Sequence, residues 1–200
     1  MLTKKQLAIK LSKLTSLKRL KINLEQYVLD SEIAAEIIWR MHLNMNIEDK
    51  IIADLGCGNG ILGYGCLLFK AKKVYFVDKD KDAINTAKEN VTSKNAVFFN
   101  QDVNSFSKKS DIVVMNPPFG TKREHVDREF LLKAFETSKK IYSLHKITSV
   151  NFIEKLAKDN GFRVLDMVRF FIPLRRSYNF HTKKIKEVDT GLWILEKHKI

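Results

Sequence analysis

Four short stretches of this chain hold residues whose types and spacing could do chemistry. The sharpest is Asn116-Pro117-Pro118-Phe119. Two prolines remove backbone donors and stiffen a loop. The side-chain oxygen of Asn116 and the carbonyl of Pro117 could then accept both hydrogens of a planar amino group, with Phe119 stacked on the ring that bears it. In isolation the same four residues read equally as a Pro-Pro turn beside a core phenylalanine. The second stretch is Asp54-Leu55-Gly56-Cys57-Gly58-Asn59-Gly60. Its G-x-G-x-G spacing falls short of the G-x-G-x-x-G dinucleotide fingerprint. Glycines there let the backbone turn tightly and approach a ligand that has no pyrophosphate, and Asp54 could orient an ammonium group. Asp78, 24 positions after Asp54, could accept from both hydroxyls of a ribose. Asp102 could accept from an adenine amino group beside the Val103 N–H, although a plain loop aspartate is an equal reading.

These stretches sit at the ends of predicted strands. Apolar runs over 51–55, 74–77, 96–99, 111–115, 141–144, 162–172 and 188–196 read as strands. Helical patterns lie between several of them, one capped by Asp80 and running to about residue 91, one near 129–138, and one capped by Ser149 and stopping at Asn160-Gly161. Ahead of the strands, Leu7, Leu11, Leu14 and Leu17 predict a helix over 4–20, and Ile33, Ile37, Ile38 and Met41 predict another over about 32–44, capped by Ser31 or Asp30. The fold class expected is therefore α/β, a Rossmann-like doubly wound, mostly parallel seven-stranded sheet with a C-terminal antiparallel hairpin.

A length of 200 residues suits one domain, and 44% hydrophobic residues can bury a core. The two cysteines, Cys57 and Cys66, form no CxxC pair, so neither a zinc site nor a disulfide framework is indicated, and a reducing cytoplasm is the expected compartment. The five histidines form no spaced cluster, so no metal is assigned. No run reaches the roughly 18 apolar residues of a membrane span. The net charge of +13 favours a polyanionic partner, nucleic acid first. Lys4, Lys5, Lys10, Lys13, Lys18, Arg19 and Lys21 precede the first acid, Glu25. A second cluster holds Arg175, Arg176, Lys183, Lys184 and Lys186, with Tyr178 and Phe180 among them. That mix suits single-stranded or looped RNA, or else both aromatics pack inside the hairpin.

The set of Asp54–Gly60, Asp78, Asp102 and Asn116–Phe119 resembles class I methyltransferases that act on amino nitrogens. A longer run, Asn116-Pro-Pro-Phe-Gly-Thr-Lys122, taken with Leu24-Glu-Gln-Tyr27, Tyr142-Ser-Leu-His-Lys146 and Ser177-Tyr-Asn-Phe-His-Thr-Lys-Lys184, is narrower. It is similar to the archaeal and eukaryotic small-subunit rRNA adenine-N6 methyltransferases, the methyltransferase-like five group, over about residues 24–196. The resemblance implies one class I methyltransferase domain over 1–200, with a basic N-terminal helical extension of about 1–44. It implies S-adenosyl-L-methionine as cofactor. Gln26 and Tyr27 would lie over it, Asp54, Gly56, Gly58 and Asn59 would line its methionine end, Asp78 would hold the ribose, and Asp102 with Val103 the adenine. Asn116 to Phe119 would hold the target base. It also implies a small zinc-binding methyltransferase activator as partner. Where the group often has a threonine, two positions after Tyr27, this chain has Leu29.

Adenine N6 is a poor nucleophile because its lone pair is delocalised into the ring. Accepting hydrogen bonds from both of its N–H groups, at Asn116 and Pro117, would shift charge onto the nitrogen as the methyl arrives. Arg175, Arg176, Tyr178, Phe180, Lys183 and Lys184 would grip RNA. His145 and Lys146, after the fifth strand, could face the site. Three other readings remain open: a protein glutamine N5-methyltransferase, a DNA adenine methylase, and a non-catalytic RNA-binding module on the same scaffold.

Overall fold

The structure is a computed structural model and describes residues 2–119, 126–174 and 186–198. Seven strands form one sheet: β1 (Ile51–Leu55), β2 (Lys73–Asp78), β3 (Ala96–Asn100), β4 (Ile112–Met115), β5 (Lys140–Lys146), β6 (Phe162–Leu174) and β7 (Lys186–Lys197). Their order across the sheet is β3-β2-β1-β4-β5-β7-β6. The first five run parallel to one another, and β7 pairs antiparallel with both β5 and β6. The chain thus starts at the centre, winds outward through β2 and β3, and returns to β4 on the other side of β1.

Side chains alternate across each strand, so adjacent residues feed opposite cores. Ile52, Val74, Phe76, Ile112 and Val114 face α1 (Lys4–Leu11), α2 (Ser31–Leu43), α3 (Ile61–Leu68) and α4 (Lys81–Asn90). Ala53, Leu55, Val77, Val113 and Met115 face α5 (Val126–Thr137) and α6 (Val150–Asp159), joined there by Trp193 and Leu195 from β7. The expected α/β class, strand number and terminal hairpin are all present. Among the described residues no helix is long and apolar enough to cross a membrane.

Three local expectations give way to tertiary structure. The helix expected over 4–20 begins with a capping box of Thr3 and Gln6 but ends at Leu11. The Ser12 hydroxyl bonds back to the Ile9 carbonyl, and Thr15 is tied by backbone groups to the Asn90 side chain. That cross-link draws residues 12–20 away from the helix axis. Ser149 caps nothing with its side chain, because a 3-10 turn at Ile147–Ser149 runs straight into α6. In β6 the register slips at Leu165, a bulge that the alternating pattern does not announce.

The contact between α3 and β2 is especially close. A Cβ built on Gly63 would lie 2.3 Å from Phe76 Cε1, and Phe76 is itself stacked on Phe98. Gly63→Ala should therefore cost about 1–3 kcal/mol, the usual penalty of overpacking a core that cannot yield. Urea unfolding of the two proteins measures this; equal midpoints would show that Phe76 moves aside freely.

Candidate active site

In a doubly wound sheet, ligands bind outside the carboxyl ends of the strands where strand order reverses. Here the reversal lies between β1 and β4, and a cavity of about 340 Å³ opens there. Its wall includes Gln26, Tyr27, Asp54, Gly56, Gly58, Asn59, Asp78, Asp102, Val103 and Asn116, along with Pro118. Every cofactor-side residue expected from the sequence is thus brought to one place. Pro117 is buried behind the wall, and Phe119 lies beyond it.

The turn after β1 is pinned to β2. The N–H groups of Gly56 and Cys57 both donate to the Val77 carbonyl, at 2.8 and 3.0 Å, and the Gly58 N–H donates to Asp78 Oδ2 at 3.0 Å. Gly58 holds φ +55°, and a Cβ there would meet nothing within 4 Å, so the backbone faces open cavity. This is the cradle that close approach of a ligand requires.

Of the acids in or against the cavity, Asp54 and Asp78 are shifted up and Asp80 down. Asp54 is only 1% exposed, and its Oδ2 accepts from the Gly63 N–H at 2.8 Å. Burial raises its carboxyl to about 7, against the lowering effect of that hydrogen bond. Asp78 is also raised by burial, although its two oxygens accept from the N–H groups of Gly58 and Asp80. Asp80 caps α4 through the Asp82 N–H. Burial opposes its charge, but Lys21 at 2.6 Å and Gln26 at 2.8 Å outweigh that and hold its carboxyl below the usual range. Asp102 caps a single 3-10 turn, Val103–Ser105, through the Asn104 N–H.

Residues 12–29 run across the cavity as a strap. Asn90 clasps it at one end, exchanging hydrogen bonds with both backbone groups of Thr15, and Asn59 Nδ2 donates to the Thr15 carbonyl. At the other end Gln26 accepts from the Lys21 N–H and donates to Asp80. Gln26 and Asn59 therefore hold the strap as well as lining the cavity. Asn90, Lys21 and Asp80 were not foreseen as parts of the site. Their roles depend on partners 54 to 75 positions away in the chain, which no local pattern reveals.

At the far end of the cavity, Tyr27 donates its hydroxyl hydrogen to Asn116 Oδ1, and its ring lies 5.4 Å from the Phe119 ring at 33°. Lys146 sits with its Nζ 5.9 Å from the Phe119 centroid. His145, its neighbour on β5, turns into the core instead. It meets Ser143 Oγ at 2.6 Å and packs edge-on against Trp193, and burial lowers its imidazole to about 3, so the ring is neutral. Arg175, Arg176, Tyr178, Phe180, Lys183 and Lys184 lie outside the described residues, as do Gly120, Thr121 and Lys122. Of the N-terminal cations, Lys4 pairs with Glu36, and Lys21 with Asp80 and Asp82.

A glycine cradle after β1, an acid at the end of β2 and Asn-Pro-Pro-Phe after β4, on this sheet order, define a Rossmann-like methyltransferase. The methyltransferase small domain family matches residues 32–143. An uncharacterized protein of Methanocaldococcus jannaschii is 32% identical, spanning 98% of this chain and 95% of that one. The rRNA N(6)-adenosine-methyltransferase METTL5 of Danio rerio is 35% identical over 84% of this chain and 86% of its own. The crystal structure of a candidate RNA methyltransferase from Pyrococcus horikoshii superimposes with a TM-score of 0.91 at 41% identity, covering 98% of this chain and 99% of that one. The chain belongs to the METTL5-like family of methyltransferase small-domain proteins.

The state of Asp54 makes stability depend on pH. At low pH the carboxyl is protonated both folded and unfolded and costs nothing. Between its ordinary value of 3.8 and about 7, the unfolded chain ionises while the folded one does not, so stability falls as pH rises. Above that range the cost is complete. Asp54→Asn keeps an acceptor for Gly63 but carries no charge. Without cofactor it should melt above the wild type at pH 8, with the gap narrowing as the pH falls. Thermal melts across that range test this; a gap independent of pH would show that the buried charge is not its source.

Proposed function

We propose that this chain transfers a methyl group from S-adenosyl-L-methionine to the N6 of an adenine in RNA, with small-subunit rRNA as the substrate. The observation that carries the reading is the position of Asn116. Its Oδ1 sits at the junction between the cofactor-sized cavity and the Phe119 ring, where an amino group on a stacked base would meet an acceptor.

The cofactor supplies a methyl group already activated on a sulfonium. The residues of the chain hold and aim it. Asp54, Gly56, Gly58 and Asn59 would line the methionine end. Asp78 retains lone pairs for the ribose hydroxyls beyond the two N–H groups it already accepts. Asp102 and Val103 would take the adenine, and Gln26 and Tyr27 the cover. Asn116 and the Pro117 carbonyl would accept the hydrogens of N6. The target base must be unpaired or flipped to reach them, at a cost of a few kcal/mol, and stacking on Phe119 returns about 1–3 kcal/mol.

RNA suits the surface around this site. Lys5, Lys10, Lys13, Lys18 and Arg19 are exposed and pair with no carboxylate among the described residues. The basic extension of about residues 1–44 thus works with the methyltransferase body as one domain. A small zinc-binding activator is the proposed protein partner. Strand β6 suits it, being the last strand of the sheet order and exposing Leu165, Met167 and Phe171. A ribosomal substrate fits a cytoplasmic setting.

Two variants test the assignment. Asp78→Ala should strongly weaken S-adenosylmethionine binding by calorimetry; unchanged affinity would remove it from the cofactor site. Asn116→Ala should lose roughly 2.7–4 kcal/mol of barrier lowering, about a hundredfold to a thousandfold in rate. The measurement is single-turnover methylation of an rRNA fragment, with products resolved by nucleoside mass spectrometry. A wild-type rate in Asn116→Ala would overturn the amino-nitrogen mechanism. Methylation of DNA or of protein glutamine in place of adenosine in RNA would overturn the substrate, and no methylation of any of them would leave a binding module.

A further inference from the structure

The corner formed by Tyr27, Asn116 and Phe119 contains two contacts that a target adenine would itself need. One is a hydrogen donated to Asn116 Oδ1, and Tyr27 donates it from its hydroxyl. The other is an aromatic ring against Phe119, and the Tyr27 ring lies 5.4 Å from it. A single side chain therefore presents an aromatic plane and a polar hydrogen in the arrangement of a base bearing an exocyclic amine. We propose that, in the substrate-free protein, Tyr27 holds the place of the target base, and that its displacement selects an aromatic ring bearing an amino group over other substrates. The proposal rests on reading the Asn116–Phe119 corner as the amino-nitrogen site.

The physical consequence is a competition. A ligand that offers only a ring leaves Asn116 Oδ1 without the hydrogen it already has. A ligand that offers only an amide N–H, such as a glutamine side chain, leaves Phe119 without its aromatic neighbour. Both exchange two contacts for one. A base with an exocyclic amine, such as adenine, replaces both, so it displaces the phenol without loss. The strap allows the exchange, because Tyr27 is carried by residues held to the body through side chains such as Gln26 and Lys21 rather than by a sheet ladder. Burial also raises the Tyr27 phenol well above its ordinary value, so it stays protonated. A neutral phenol is a weak nucleophile, which protects the placeholder from methylation while it lies beside the cofactor cavity.

The test uses the full chain labelled with 3-fluorotyrosine and saturated with S-adenosylhomocysteine. The Tyr27 fluorine resonance is identified by its loss in Tyr27→Phe. A single-stranded oligoadenylate should shift it, whereas an oligouridylate, which has no exocyclic amine, should leave it in place. In steady-state methylation of the oligoadenylate at saturating S-adenosylmethionine, Tyr27→Phe should lower KM about fivefold, the worth of one neutral hydrogen bond no longer broken, and should lower the melting temperature of the substrate-free protein through the loss of that same bond. A fall in kcat with KM constant would overturn the proposal and make Tyr27 a residue that positions Asn116. An equal shift with oligouridylate would overturn the selection. If a glutamine peptide is methylated and shifts the resonance while oligoadenylate does neither, the selection and the RNA assignment both fall. If oligoadenylate shifts the resonance but is not methylated, the placeholder stands and only the reaction assigned to the corner is lost.

Discussion

Two hydrogen bonds onto the Val77 carbonyl, with a third from Gly58 to Asp78, fix the turn on which the rest of the site is built. From there a nearly continuous polar chain crosses the cavity. Asp78 accepts from the Asp80 N–H, Asp80 accepts from Gln26, and the residue after Gln26 is Tyr27, which reaches Asn116 at the end of β4. The two strand ends that flank the topological switch are therefore joined by side chains over the cavity as well as by the ladder beneath it. If β2 were displaced by one residue, its side chains would change face. Asp78 would leave the turn, Asp80 would leave the strap, and Tyr27 would lose its bearing on Asn116.

That dependence explains which parts could be read from the sequence. The strands, their alternation and the four chemical stretches are local patterns, and each lies close to where it was expected. Asp54, Asp78, Asp102 and Asn116 stand out because each is a polar group that ends or closely follows an apolar run. The strap is different. Leu14 and Leu17 keep helical spacing, yet Asn90 and Asn59 capture Thr15 and end the helix early. A hydrogen bond spanning 75 residues leaves no trace in periodicity. His145 shows the converse failure. Its neighbour Lys146 reaches Phe119, but strand alternation turns the imidazole into the core against Trp193.

The charge pattern resolves an apparent conflict. A surface that attracts RNA phosphates should not carry bare carboxylates beside its cavity, yet Asp54, Asp78 and Asp80 all lie there. Each is bonded inward. Asp54 meets Gly63, Asp78 meets two backbone N–H groups, and Asp80 meets Lys21 and Gln26. Burial raises two of the three, Asp54 to about 7, and a cation at contact distance would favour the ionised form of both. Lys5, Lys10, Lys13 and Lys18, exposed outside the cavity, have no carboxylate partner among the described residues, and their field extends over about one Debye length into solvent. The buried acids can thus meet a small cationic ligand only at contact distance, while the exposed lysines can attract a polyanion from farther away. One small domain can serve both because burial confines one set of charges and exposure extends the other.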